Sequence, residues 1–122
     1  MGKTIMIVDD SASLRQVVSI ALKGAGYEVI EASDGRDALS KMDGRKLHLI
    51  VSDVNMPNMD GIALVKAAKQ LPAYKFTPII MLTTEAGDAM KQQGQAAGAK
   101  AWVVKPFQPA QLLTAVSKLV LP

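Results

Sequence analysis

The sequence predicts an α/β fold: a five-stranded parallel sheet, doubly wound, with helices on both faces. Three observations carry it. Apolar runs and helix-spaced stretches alternate, strand then helix, five times along the 122 residues, the mark of βαβ units with right-handed crossovers. The runs IMIV (5–8), LIV (49–51) and PIIML (78–82) are nearly continuous in apolar residues, as strands buried on both faces are. Each ends in polar side chains, at Asp9-Asp10, soon after at Asp53, and at Thr83-Thr84-Glu85, where strands of an open sheet meet solvent at one edge.

In chain order, Lys3–Val8 is the first strand. Ser11 or Ser13 caps a helix on which Leu14, Val17, Val18, Ala21 and Leu22 recur at helical spacing, and Gly24 and Gly26 end it. Tyr27–Ala32 alternates, a strand with one polar face. Asp34-Gly35 turns into a second helix with Ala38, Leu39 and Met42 inward, closed by Asp43-Gly44. The strand from Leu47 to Val51 leads to Asp53 and a loop rich in Asn, Pro and Asp, then to a helix from about Gly61 to Leu71 that Pro72 stops. Pro78–Leu82 is the fourth strand, and a weakly apolar fourth helix follows from about Gly87 to Ala97. A short strand, Trp102–Val104, ends at Lys105-Pro106, and a last helix from about Pro109 to Leu121 turns Leu112, Leu113, Val116, Leu119 and Val120 to the sheet. No repeat, linker or low-complexity tract divides the chain, so residues 1–122 read as a single domain.

Composition narrows the function classes. With no cysteine, disulfides, thiolate metal sites and cysteine nucleophiles are excluded. No signal peptide opens the chain and no apolar run approaches the ~20 residues of a membrane span, so a soluble cytoplasmic protein is expected. The net charge is +3, but the cations are scattered and the five aromatic residues are not interleaved with them, which argues against nucleic acid as a partner. The motifs GxxxxGK[ST] and GxGxxG are absent, against a nucleotide enzyme. The one histidine, His48, precedes a buried strand and reads as structural.

Parallel strands share a direction, so their carboxyl ends share an edge. Just past strands one, three, four and five stand Asp9 and Asp10, Asp53, Thr83, and Lys105. Each alone has an ordinary explanation, since paired aspartates often turn a chain or cap a helix. Together they put three carboxylates, a hydroxyl and an ammonium on one rim. Crowded carboxylates raise one another's pKa, and a hard cation such as Mg²⁺ relieves them. Cation, lysine and hydroxyl are the parts phosphoryl transfer calls for, with Asp53 as the nucleophile. A metal-dependent phosphatase or small hydrolase is the rival reading, and no substrate-sized pocket is foreseen for it. With Asp9, Asp10 and Asp53 assigned to one site, the rest of the chain carries +6, which favours an acidic partner.

Asp9-Asp10, Asp53 followed by MPNMDG (56–61), Thr83 and Lys105-Pro106 together resemble the receiver domain of two-component response regulators, over essentially the whole chain. The resemblance is strongest to the single-domain, CheY-like chemotaxis receivers. It implies a flavodoxin-like sheet in the order 2-1-3-4-5. It also implies that Asp53 accepts a phosphoryl group from a histidine kinase, and that Asp9, Asp10, Asp53 and the Asn55 carbonyl hold Mg²⁺. Lys105 would contact the phosphoryl group, Thr83 would swing toward it and the aromatic Trp102 would follow. Asn55 and Glu85 would set the lifetime of the phosphoaspartate. The resemblance further implies a switch that catalyses only its own phosphorylation and dephosphorylation. Its output would be a flagellar motor switch protein docking on the face of the fourth helix, fifth strand and last helix, with a phosphatase as a further partner and a monomeric state. A phosphate sink, or a stand-alone receiver for pili or a phosphorelay, is the alternative within the family. Two positions depart from its usual pattern: Trp102, where tyrosine or phenylalanine is usual, and Thr84, where alanine or glycine is frequent.

Overall fold

The five apolar runs form five strands in the computed structural model, which describes residues 3–54, 56, 58–83, 98–105 and 108–120. These are β1 (Thr4–Val8), β2 (Glu28–Ala32), β3 (Leu49–Asp53), β4 (Ile79–Thr83) and β5 (Ala101–Val104). They pair in parallel throughout, in the order β2-β1-β3-β4-β5. The helices between them are α1 (Ala12–Gly24), α2 (Gly35–Lys41), α3 (Gly61–Lys69) and α4 (Pro109–Leu119). The helix expected over 87–97 lies outside the described residues.

The alternation of side chains along each strand divides the core in two. Ile5, Ile7, Leu49, Val51, Ile80 and Leu82 point to the face covered by α1 and α4, through Val18, Leu22, Leu112 and Val116. Met6, Val8, Ile50, Ile79 and Met81 point to the other face, which α2 and α3 cover through Ala38, Leu64, Val65 and Ala68. β3 and β4 are buried at every position. Strands enclosed on both sides gain hydrophobic stabilisation from every residue, and for that reason they read as unbroken apolar runs.

Three details differ from expectation. Val17 shares the helical apolar spacing of Val18 but is 51% exposed. Neighbouring helical residues point about 100° apart, so the sheet takes only one of them. β2 does not have a single polar face: Val29 packs on one side and Ile30 on the other. Each glutamate, Glu28 and Glu31, escapes at the strand's margin because this is the edge strand. β3 runs two residues beyond the expected Val51, taking Ser52 and Asp53 into the sheet, with Asp53 opposite Leu82.

Candidate functional site

Register brings the candidate residues together. Val8 lies opposite Ser52, so Asp9 emerges beside Asp53. Asp53 lies opposite Leu82, one residue before Thr83, and Thr83 lies opposite Val104, one residue before Lys105. The Lys105 N–H donates to the Thr83 carbonyl at 2.6 Å, carrying the β4–β5 pairing one step past the strand end.

The centre of the arrangement is the Lys105 ammonium. Its Nζ lies 3.1 Å from Asp53 Oδ1 and 3.2 Å from Asp9 Oδ2, bridging two buried carboxylates. Asp53 Oδ1 also accepts from the Val54 N–H at 2.9 Å. Burial, and then the nearby Asp9 charge, push the Asp53 carboxyl above its ordinary range, while Lys105 and the Val54 N–H oppose them. A buried carboxylate keeps its charge only with such partners.

Asp9 is held from three directions. Its Oδ1 accepts from the Ser11 N–H at 2.8 Å, its carbonyl accepts from Arg15 Nη1 at 2.6 Å, and its N–H donates to the Ala32 carbonyl. Ser11 caps α1 by accepting from the Leu14 N–H. The helix start therefore fixes Asp9, and Asp10 stands next to it exposed. Oxygen atoms of Asp9, Asp10 and Asp53 lie within 4.8 Å of one another. Three carboxylates so placed, two buried and one open to solvent, suit a hard divalent cation that keeps some of its waters. The fourth expected contributor to the metal site, the Asn55 carbonyl, lies outside the described residues, as do Thr84, Glu85 and Pro106.

The loop after β3 is pinned where the site needs it. Asp60 caps α3 through the Ala63 N–H at 2.8 Å, and the Gly61 N–H donates back to the Val54 carbonyl at 2.8 Å. A Cβ on Gly61 would lie 2.2 Å from the Asp53 carbonyl oxygen, so the helix start abuts the strand end that carries Asp53. Asn58, at φ 67°, donates from Nδ2 to Asp34 Oδ2 at 2.7 Å. Asp34 in turn caps α2 through the Asp37 N–H, and these donors hold its carboxyl below the ordinary range.

Thr83 closes β4, fully buried. Trp102 sits in mid-β5 opposite Met81, half-buried against the α2–α3 core. Its Nε1 is buried and has no hydrogen-bond partner among the described residues. Sequence reasoning missed Arg15 and the Asp34–Asn58 bond. Arg15 carried a signal, since it stands four residues after the Ser11 cap, on the same side of the first turn.

Residues 5–117 match the response regulator receiver domain. The chain belongs to that family. It is 38% identical over 121 residues to the chemotaxis protein CheY of Thermotoga maritima, covering 98% of each chain. It is 40% identical over 113 residues to the phosphate regulon transcriptional regulatory protein PhoB of Pseudomonas aeruginosa, covering 93% of this chain and about half, 49%, of that longer protein. The solved structure of chemotaxis protein CheY4 of Vibrio cholerae superposes with a TM-score of 0.94 at 50% identity, covering 98% of this receiver and 99% of that chain. Receiver domains are signalling switches rather than enzymes acting on an outside substrate, working with histidine kinases and output partners. Among the described residues, no helix is long and apolar enough to cross a membrane.

Proposed function

We propose that this receiver, acting as one unit over residues 1–122, is the phosphorylation-activated switch of a cytoplasmic chemotaxis pathway. Asp53 is the phosphoacceptor. Its carboxylate oxygen attacks the phosphorus of a kinase phosphohistidine, an O–P bond forms as the P–N bond breaks, and the imidazole departs with a proton. The single observation that supports this is the Lys105 ammonium within 3.2 Å of both Asp53 and Asp9. An ammonium on that rim offsets the negative charge brought by an incoming phosphoryl group.

Mg²⁺ is the cation that the carboxylates of Asp9, Asp10 and Asp53, with the Asn55 carbonyl, would hold. When bound it neutralises charge on phosphoryl oxygens. This chain's residues do the positioning: the Val54 N–H and Lys105 orient the Asp53 carboxylate, and Ser11 and Arg15 hold Asp9 in place. Thr83 donates its hydroxyl to the phosphoryl group, Trp102 repacks with it, and the surface around β5 and α4 changes so that a flagellar motor switch protein docks. Asn55 and Glu85 set how fast water removes the phosphoryl group.

Acetyl phosphate with Mg²⁺, followed by intact mass, tests the chemistry. One phosphoryl group should add to the wild type and none to Asp53→Asn; equal labelling of the variant, or sustained turnover of phosphate esters without it, would remove the phosphoacceptor reading. Binding to a flagellar switch peptide should then tighten on phosphorylation, and no gain would send the output elsewhere, to a sink, pili or a phosphorelay.

A further inference from the structure

The end of the sheet opposite Asp53 carries a cleft. All segments that lead into strands gather there, and they bring Lys3, Arg45, Lys46, Lys75 and Lys100 against Glu28 and Asp43. Asp43 is already engaged by Arg45 at 2.9 Å. Between the lead-in to β3, the segment after α3 and the end of α4 lies a cleft of about 410 Å³. Its walls are apolar (Pro72, Phe76, Leu119 and Val120), while Lys46 and His48 supply polar groups, and no carboxylate is among its described lining residues. Phe76 is 88% exposed, and the Lys75 ammonium lies 5.7 Å from its ring centre.

His48 is fixed in this cleft by β1. The Thr4 N–H donates to its Nδ1 at 3.0 Å, and the His48 N–H donates to the Thr4 carbonyl at 2.8 Å. With Nδ1 accepting, the neutral ring carries its hydrogen on Nε2. The groups facing it are the Thr4 backbone and the cations Lys3 and Lys46; burial, then those two charges, hold the imidazole below its ordinary range. Lysines near helix ends, such as Lys118, have an ordinary role in offsetting the helix macrodipole. Lys46 and His48 lead into a strand, and the macrodipole does not account for them.

We propose that this cleft docks an acidic peptide segment of a partner protein, an apolar side chain entering against Phe76 and Leu119 and carboxylates meeting Lys46 and the His48 ring. Charge complementarity selects this occupant: cations stand beside an open apolar slot from which carboxylates are missing, and a wet polar rim around an apolar centre is the usual make-up of a binding patch. The site is independent of the phosphoacceptor reading, because no residue is shared with the Asp53 rim.

The test uses the capped peptide Glu-Glu-Leu-Phe-Glu-Glu and the ring resonances of His48, the one histidine in the chain. Saturable binding should shift them and raise the His48 pKa, since a bound anion and a proton on the ring favour each other reciprocally. Lys46→Glu and Phe76→Ser should each weaken binding on the order of tenfold, with Lys23→Glu, at the end of α1 and outside the cleft, without effect. Asp53→Asn should bind the peptide like the wild type, which separates this site from the phosphoacceptor. The proposal falls if His48 does not respond at millimolar peptide, or if Lys23→Glu weakens binding as much as Lys46→Glu. It also falls if Glu-Glu-Gly-Ser-Glu-Glu binds equally well, or if phosphatidylglycerol vesicles capture the protein through Lys46 while the peptide does not.

Discussion

Replacing Gly61 with alanine sets two physical expectations against each other. By helix propensity the change should help: Gly61 opens α3 with no positive φ, and glycine in a helix is less stable than alanine by about 0.5–1 kcal/mol. By packing it should harm. The new Cβ would stand 2.2 Å from the Asp53 carbonyl oxygen, more than 1 Å inside the ordinary contact distance of 3.4 Å, and 2.7 Å from Met81 Cε, also inside it. The methionine tip can move aside, but the carbonyl belongs to a paired strand. Overpacking against such an obstacle costs about 3 kcal/mol. The net expectation is a loss of about 2 kcal/mol, a fall in Tm of roughly 6–10 °C for a chain of this size. Urea unfolding measures it directly, with Gly24→Ala as the control. Gly24 ends α1 with nothing within 4 Å of its would-be Cβ, so alanine there should stabilise by about 0.5 kcal/mol. A neutral or stabilising Gly61→Ala would refute the claim that α3 is wedged against the strand end bearing Asp53.

Three further outcomes follow from the same geometry. Asp53→Asn should be more stable than the wild type at neutral pH by about 1 kcal/mol. The folded protein holds the Asp53 proton more tightly than the unfolded chain, whose carboxyl titrates at 3.8, so the wild type loses stability as pH rises through the window above that value. The gap between the two should close at the acid end in denaturation curves taken across pH; a gap independent of pH would contradict it. Mg²⁺ at ten times its Kd should raise stability by about 1.4 kcal/mol, visible as a Tm increase that a chelator reverses and Asp10→Asn, at an exposed position, largely removes. Tyr74→Phe should cost about 1–2 kcal/mol in urea unfolding, because the buried hydroxyl accepts from the Gly44 N–H and donates to the Arg45 carbonyl.

Much of the fold was legible because burial on both faces leaves an unmistakable trace: no polar residue interrupts IIML or LIV. The rim was legible for a geometric reason, since parallel strands must deliver their last residues to one edge, and Asp9, Asp53, Thr83 and Lys105 each follow or close such a run. What escaped depends on neighbours distant in sequence. Asp53 stays in the ladder because Lys105 and the Val54 N–H satisfy it, and nothing in the apolar run announces those partners. Val17 and Val18 fit one periodic pattern equally well until the sheet selects one. The Asn58–Asp34 bond depends on where two loops pass each other, which no local pattern encodes.

Trp102 gives the protein an optical consequence. It is the one tryptophan in the chain, and its buried N–H has no acceptor among the described residues. Trp102 is only half-buried, but its enclosed N–H should hold the emission to shorter wavelength than that of a fully exposed indole. Any rearrangement that lets water or a carbonyl reach that nitrogen should redden the emission, so the chain carries its own unlabelled reporter two residues from the end of the strand leading to Lys105.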